Sequence, residues 1–572
     1  MPQSRRARPP SGRGGLGSVV HLLAAPVDLR LDLSAVDIFL LVTYFVFVIG
    51  IGFALKRAVK SSSDFFLSGR SLPAWITGLA FISANLGAVE ILGQSASAAE
   101  YGASVVHYFW IGAIPAMVFL GIVMMPFYYG SKVRSVPEYL RLRYDRKAHL
   151  INAITFVVAS LLIAGVNLFA LATVIDALLG IPLWWAIVLS AAFVLSYILL
   201  GGLSSAIYNE VLQFFVILAG LIPLVVIAVK EVGGLGALFD TLGAQQGPTF
   251  NSAWTGTGPG GANLFGDFFG IIVGLGFCLS FGYWTTNFAE VQRAMAAKST
   301  NAARMTPIIG AYPKLFIPLI TILPGMCALL LIPGLGNANG VDYNNAIPAL
   351  MDQYLPAGAL GVAVTGLVAA FMAGMAANVS SFNAVFTHDL WEEYVRPGRS
   401  DRYYLVVGRL ATVVGVLVGI GTAGIAANFE NISNYFQVLF TFFNVPLFVT
   451  FIVGMFWKRA SPSSGFWGIL VGTFAAVATY VLYKFAGVLD FRSDLHESFW
   501  GGIVGFVFGA VTIVVVSMFG QGKPEEELRG LVHGMELRDM DEGPQPFYRR
   551  PVPMGMGALA LSAALYVIMA GL

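Results

Sequence analysis

Apolar runs of about 20 residues, the length a helix needs to cross some 30 Å of hydrocarbon, recur along this chain and leave few folds open to it. Fourteen are expected, at about 36–55, 74–100, 105–129, 148–179, 183–200, 204–229, 263–291, 307–333, 357–394, 403–427, 434–456, 463–483, 498–519 and 552–572. Inside a bilayer every backbone polar group must bond internally, so repeated runs of this length predict an all-α membrane protein. Composition agrees: 57% of the 572 residues are hydrophobic and only 11% charged, against roughly 25% charged in a soluble domain. A net charge of +2 gives no footprint for nucleic acid.

The basic loops test the count, because a missed or invented run would scramble their alternation. Odd-numbered connections carry Lys56 to Arg70, Lys132 to Lys147, Arg293 to Arg304, Arg396 to Arg402, Lys458 with Arg459, and Lys523 to Arg550. Even-numbered ones carry only Lys230, Lys484 and Arg492, which puts the odd loops in the cytoplasm. Residues 1–34 are expected to be a disordered tail, whose Arg5, Arg6, Arg8, Arg13 and Arg30 run against the rule. Residues 35–519 are read as the bundle, 520–551 as a polar cytoplasmic linker with little fixed structure, and 552–572 as a last transmembrane helix. Cys278 and Cys327 lie inside apolar runs and predict no disulfide.

Two runs are interrupted. ISANLGAVEILG at 82–93 places Asn85, Gly87 and Glu90 inside the second, although a carboxylate at mid-bilayer costs about 2.5 to 3.5 kcal/mol and glycine weakens a helix by roughly 1 kcal/mol. The seventh is disturbed by Ser280, Gly282, Thr285, Thr286 and Asn287. Runs two to six and seven to eleven form two blocks of five, at 74–230 and 263–456, and an odd number of crossings inverts the second block. Paired interruptions at matching places in two halves point to a transporter site at the midplane. Lys314, an amine inside the eighth run, is tolerable if it pairs with Glu90 or meets a solute, and Tyr283 and Trp284 offer flat faces. Neither a metal-protease helix motif nor a nucleophile elbow is present, so enzymatic chemistry is not expected.

Several long motifs in order resemble the sodium:solute symporter family, which includes the sodium/glucose cotransporters: DFFLSGRSLPAW at 64–75, the interrupted 82–93 segment, VPEYLRLRYDRK at 136–147, GGLSSAIYNEVLQFFVILAG at 201–220, VQRAMAAKS at 291–299, FNAVFTHDLWEEY at 382–394 and GMFWKRA at 454–460. The resemblance implies the inverted-repeat bundle of the bacterial leucine transporter, in the cell membrane, importing a small polar solute, a sugar or polyol first, with amino acids or carboxylates as the alternative. It implies a solute site at Asn85, Glu90, Ser280, Tyr283, Trp284 and Lys314, with Phe109 and Gly112 replacing two groups that bond sugar hydroxyls in a galactose-transporting relative. Its sodium site maps onto carbonyls of Ser83, Leu86 and Ala370 and onto Ala373 and Gly374, where relatives carry hydroxyls. Sodium is the expected coupling ion. A proton is the alternative, through Glu210, a membrane carboxylate without an obvious cation that matches a second ion site in some relatives. Glu290 is expected at the cytoplasmic interface, and the rival of another class is a sensor that binds solute without moving it.

Overall fold

The computed structural model describes residues 33–55, 66–337, 340–427, 431–535 and 545–570. The basic residues of the tail fall outside these, as do Lys56, Arg57 and Lys60. Helices account for all named elements among the described residues, with no strand. Ten are long and apolar enough to cross a membrane, and two bent pairs raise the number to twelve if each is one span. Shorter apolar helices, Ile114–Gly130 and Leu183–Ser196, coincide with the third and fifth expected segments.

Burial sorts these helices into a centre and a rim. The apolar window of Ala359–Val395, the ninth segment, is 89% buried, whereas those of Ala35–Leu55 and Pro551–Ala570 are 17% buried. A centre this tight depends on small residues: at Gly366 and Gly220, on the ninth and sixth segments, an added Cβ would lie within 3.2 and 2.8 Å of the other helix's backbone. Several polar side chains inside the bundle find partners on other helices, as where Thr77 and Thr306 share a 2.6 Å hydrogen bond.

The two interruptions become bends with identifiable causes. Ala74–Asn85 and Val89–Tyr108 meet at 61°. Leu86 leaves helical geometry at ψ 45°, and Gly87 allows the close approach of the ninth segment, since a Cβ there would sit 3.4 Å from the Gly374 Cα. Gly270–Thr286 and Phe288–Met295 meet at 50°. Asn287 is extended there and its side chain caps the second piece by accepting from the Ala289 amide at 3.0 Å. Between the fifth and sixth segments the break falls at Gly202, whose φ of 57° suits a residue without a Cβ.

Two expectations about loops need correction. Residues 520–535 are not loose: Leu528, Leu531 and Val532 are buried, the Tyr139 hydroxyl donates to the Leu531 carbonyl at 2.5 Å, and the His533 amide donates to the Met455 carbonyl at 2.7 Å. A few apolar side chains in a polar stretch are enough to dock it. Arg143 is not merely a topological charge either. Fully buried, it donates to the carbonyls of Gly454, Trp457 and Ala460 at 2.6, 2.8 and 3.2 Å, satisfying acceptors at the end of helix Ile432–Phe456.

Candidate functional site

The bends bring the polar residues of the second, seventh and eighth segments together. Lys314 Nζ lies 2.8 Å from Glu90 Oε2 and donates to Asn85 Oδ1 at 2.6 Å. Asn85 Nδ2 donates to the Tyr283 hydroxyl at 3.1 Å, and that hydroxyl donates to Glu290 Oε1 at 2.7 Å. The result is one chain, Glu90–Lys314–Asn85–Tyr283–Glu290, with both bends in it. Lys314 is 1% exposed, and its charge also faces the rings of Phe109 and Trp284, with centroids at 4.8 and 5.4 Å. Trp284 stacks on Phe81 at 5.6 Å, so it both packs and faces the site.

Asn85 and Tyr283 separate two cavities. The first, about 550 Å³ including its opening, is lined by Glu90, Gln94, Tyr108, Ser280, Trp284 and Gln437 among others. The second, about 380 Å³, is lined by Gly87, Asn167, Asn287, Glu290, Gly374 and Asn378 among others. Tyr283 stacks on Phe440 at 4.5 Å. All six expected solute residues therefore gather around the first cavity or its polar chain. Glu290, expected at the interface, is instead 2% exposed and bonded to Tyr283. The cap at Asn287 sets the rotation of Phe288–Met295 and turns Glu290 inward.

The residues mapped as an ion site are buried, but differently furnished. Ser83, Leu86, Ala370 and Ala373 are 0% exposed, and the Ser83 hydroxyl has no hydrogen-bond partner. At Gly374 a Cβ would lie 2.7 Å from Asn167 Oδ1 and 3.1 Å from the Gly87 Cα. An amide from the fourth segment thus occupies the space into which a side chain at 374 would grow. Asn167 Oδ1 accepts from the Ala88 amide at 3.3 Å, beside the bend.

Glu210 needs a larger correction, because a cation does stand beside it. Arg293 pairs with it through two nitrogens, Nε to Oε2 at 3.1 Å and Nη2 to Oε1, and both side chains are fully buried. Arg293 counted in the sequence as a loop charge. It lies instead in the last turn of Phe288–Met295, where its Nη1 also donates to the Ala289 carbonyl at 2.7 Å. The adjacent Gln292 donates to the Phe66 carbonyl at 2.9 Å and accepts from Ser380 at 3.4 Å.

Comparison with known proteins decides the family. The sodium:solute symporter family matches residues 65–472. The chain belongs to that family. It is 28% identical over 472 residues to a sodium/glucose cotransporter of Vibrio parahaemolyticus, covering 79% of this chain and 86% of that one. To the sodium/myo-inositol cotransporter 2 of Oryctolagus cuniculus it is 30% identical over 469 residues, 76% of this chain and 68% of that one. A solved structure of a Na+-coupled sialic acid symporter, substrate-bound and outward-open, superposes with a TM-score of 0.72 at 20% identity, covering 86% of this chain and 100% of that one. This last likeness concerns the fold.

The protein is therefore a multi-pass transporter of the cell membrane, not an enzyme. Sequence reasoning missed five polar side chains of this symporter's cavities: Gln94, Tyr108 and Gln437 in the first, and Asn167 and Asn378 in the second. Gln94 carried a usable signal, standing one turn beyond Glu90 on the same segment. Asn167 is a lone amide in a long apolar helix, which by itself does not say which neighbour it faces.

Proposed function

We propose that this symporter imports a small neutral polar solute, a sugar or polyol, by alternating access coupled to a cation gradient, with Na+ as the coupling ion. One observation carries the proposal: an acid, a base, an amide and a phenol from three separate segments converge on one buried cavity at two bent helices. Fourteen crossings in two inverted blocks of five fit these bends, each near the head of its block. Names of the relatives supply the solute class, since glucose and myo-inositol are both neutral polyhydroxylated rings.

Sodium is favoured over a proton because Glu210, the carboxylate read as a proton carrier, is already engaged in an ion pair with Arg293. Oxygens for the ion would come from carbonyls of Ser83, Leu86 and Ala370 and from the unbonded Ser83 hydroxyl, with the Asn167 amide offsetting the hydroxyls absent at Ala373 and Gly374. External ion and solute would bind first, and the two blocks would then rock. Release inward requires parting Arg293 from Glu210 and Gln292 from Ser380, which tie Phe288–Met295 to the sixth and ninth segments.

The test is counterflow of radiolabelled sugars, cyclitols, amino acids and carboxylates in proteoliposomes, with sodium replaced by choline at two pH values. Sodium-dependent exchange of a neutral polyol is expected. Binding without exchange would make the protein a sensor, and exchange indifferent to sodium but driven by pH would assign the coupling to protons.

A further inference from the structure

The wall of the first cavity around Gln94 has its own chemistry. Gln94 is 2% exposed and lines the cavity. Its Nε2 donates to the Ser433 hydroxyl at 3.2 Å, while its Oε1 has no partner. Ser433 is held in place, because its amide donates to Asn431 Oδ1 at 2.9 Å and its backbone packs on Gly93, where a Cβ would come within 3.1 Å of the Ser433 nitrogen. Tyr108 lines the same cavity, its hydroxyl beside that of Ser433 without hydrogen-bond geometry to it. A buried amide with one end unbonded costs about as much as a lost hydrogen bond, so two such groups on one wall call for a ligand.

The kind of ligand follows from what each wall can offer. Turning the Gln94 amide end for end exchanges its donor and acceptor, and either way one end stays open. A hydroxyl both donates and accepts, so it serves in either orientation; a carboxylate or an ammonium serves in only one. Lys314 is already engaged: its Nζ lies 2.8 Å from Glu90 Oε2, donates to Asn85 Oδ1 and faces the Phe109 ring. A carboxylate entering there would meet Glu90 with no free cation to balance it.

We infer that Gln94 and Tyr108 determine solute specificity by bonding a solute hydroxyl, so that the site takes neutral polyols and rejects their carboxylated analogues. This rests on the solute cavity assigned above, but it concerns binding and stands apart from transport. The probes are D-glucose and myo-inositol, their monodeoxy analogues, and D-glucuronate, titrated into the purified full-length protein by calorimetry. At least one neutral probe is expected to bind. Gln94→Leu should weaken it about tenfold or more, the loss for one buried hydrogen bond. One monodeoxy analogue should bind Gln94→Leu and the unaltered protein equally, because it lacks the same bond. Should Gln94→Leu fail to fold, Tyr108→Phe, which removes a single oxygen, carries the same comparison. Glucuronate binding as tightly as glucose, no neutral probe binding at all, or a variant that weakens every analogue by the same factor would each overturn the assignment. Binding in the expected pattern with no uptake in proteoliposomes would leave it standing and refute symport.

Discussion

Lys314→Met strands the Glu90 carboxylate. The lysine side chain is 1% exposed and that of Glu90 16%, so the acid left behind has little water to turn to. Removing one partner of a buried ion pair costs about 3 to 5 kcal/mol, and the residual exposure of Glu90 places this case near the lower end, about 3 kcal/mol. That corresponds to a loss of more than about 100-fold in the ratio of folded to unfolded protein. Glu90→Leu added to Lys314→Met removes the stranded charge and should recover most of the loss, since replacing both members of a buried pair by apolar groups is often close to neutral. Unfolding curves of the purified protein, the two single variants and the double variant form the cycle; each single strands a charge at about 3 kcal/mol or more and the double strands none, so the expected coupling is about 6 kcal/mol. Solute binding stays lost in the double variant, because Asn85 Oδ1 no longer has its donor. If the double variant is as unstable as the sum of the singles, the pair is not coupled and the ionic account of the cavity is wrong.

Three further outcomes are expected. Gly374→Ser should lower thermal stability, because its Cβ would fall 2.7 Å from Asn167 Oδ1, and Asn167→Ala in the same chain should restore it; a tolerated single variant would show that the amide moves freely. Glu210→Gln should destabilise by about 3 kcal/mol through an unbalanced Arg293, and Arg293→Met added to it should recover much of that, read by the same unfolding curves. Asp267 lies just before the observed span, which begins at Gly270 and not at 263: burial pushes its carboxyl up, but bonds from the Gly270 amide, Trp500 and His496 hold it below the usual carboxylate range. Its stabilisation is present above the unfolded value near about 3.9 and is lost as pH falls through the lower folded value. Melting curves of Asp267→Asn and the unaltered protein should therefore differ at neutral pH and converge at the lowest pH; a constant gap would rule out the carboxylate as its source.

The two bends were legible because their causes are local. Asn85, Gly87 and Asn287 weaken or cap a helix whatever surrounds them, and a charge such as Glu90 or Lys314 in an apolar run announces a partner. The pairing of Glu90 with Lys314 could be anticipated for that reason. Arg293 could not be placed in the same way. Its sequence neighbourhood reads as a cytoplasmic loop, and only the 50° bend at Asn287 carries its helix back into the bundle against Glu210. Glu290 was misplaced by the same bend. In the 520–535 segment, polar composition outweighed three apolar residues that turn out to be buried.

By itself the sequence determined a membrane-embedded helical bundle, its family and the two places where helices break, because hydrophobic length, loop charge and backbone-weakening residues act over a few turns of one helix. Tertiary structure alone decided which polar groups meet: that Arg293 balances Glu210, that Asn167 fills the space beside Gly374, and that Gln94, which lines the cavity, is left with an unbonded amide oxygen. Those are contacts between helices far apart in the chain, and their geometry depends on bend angles and close approaches that no stretch of sequence contains.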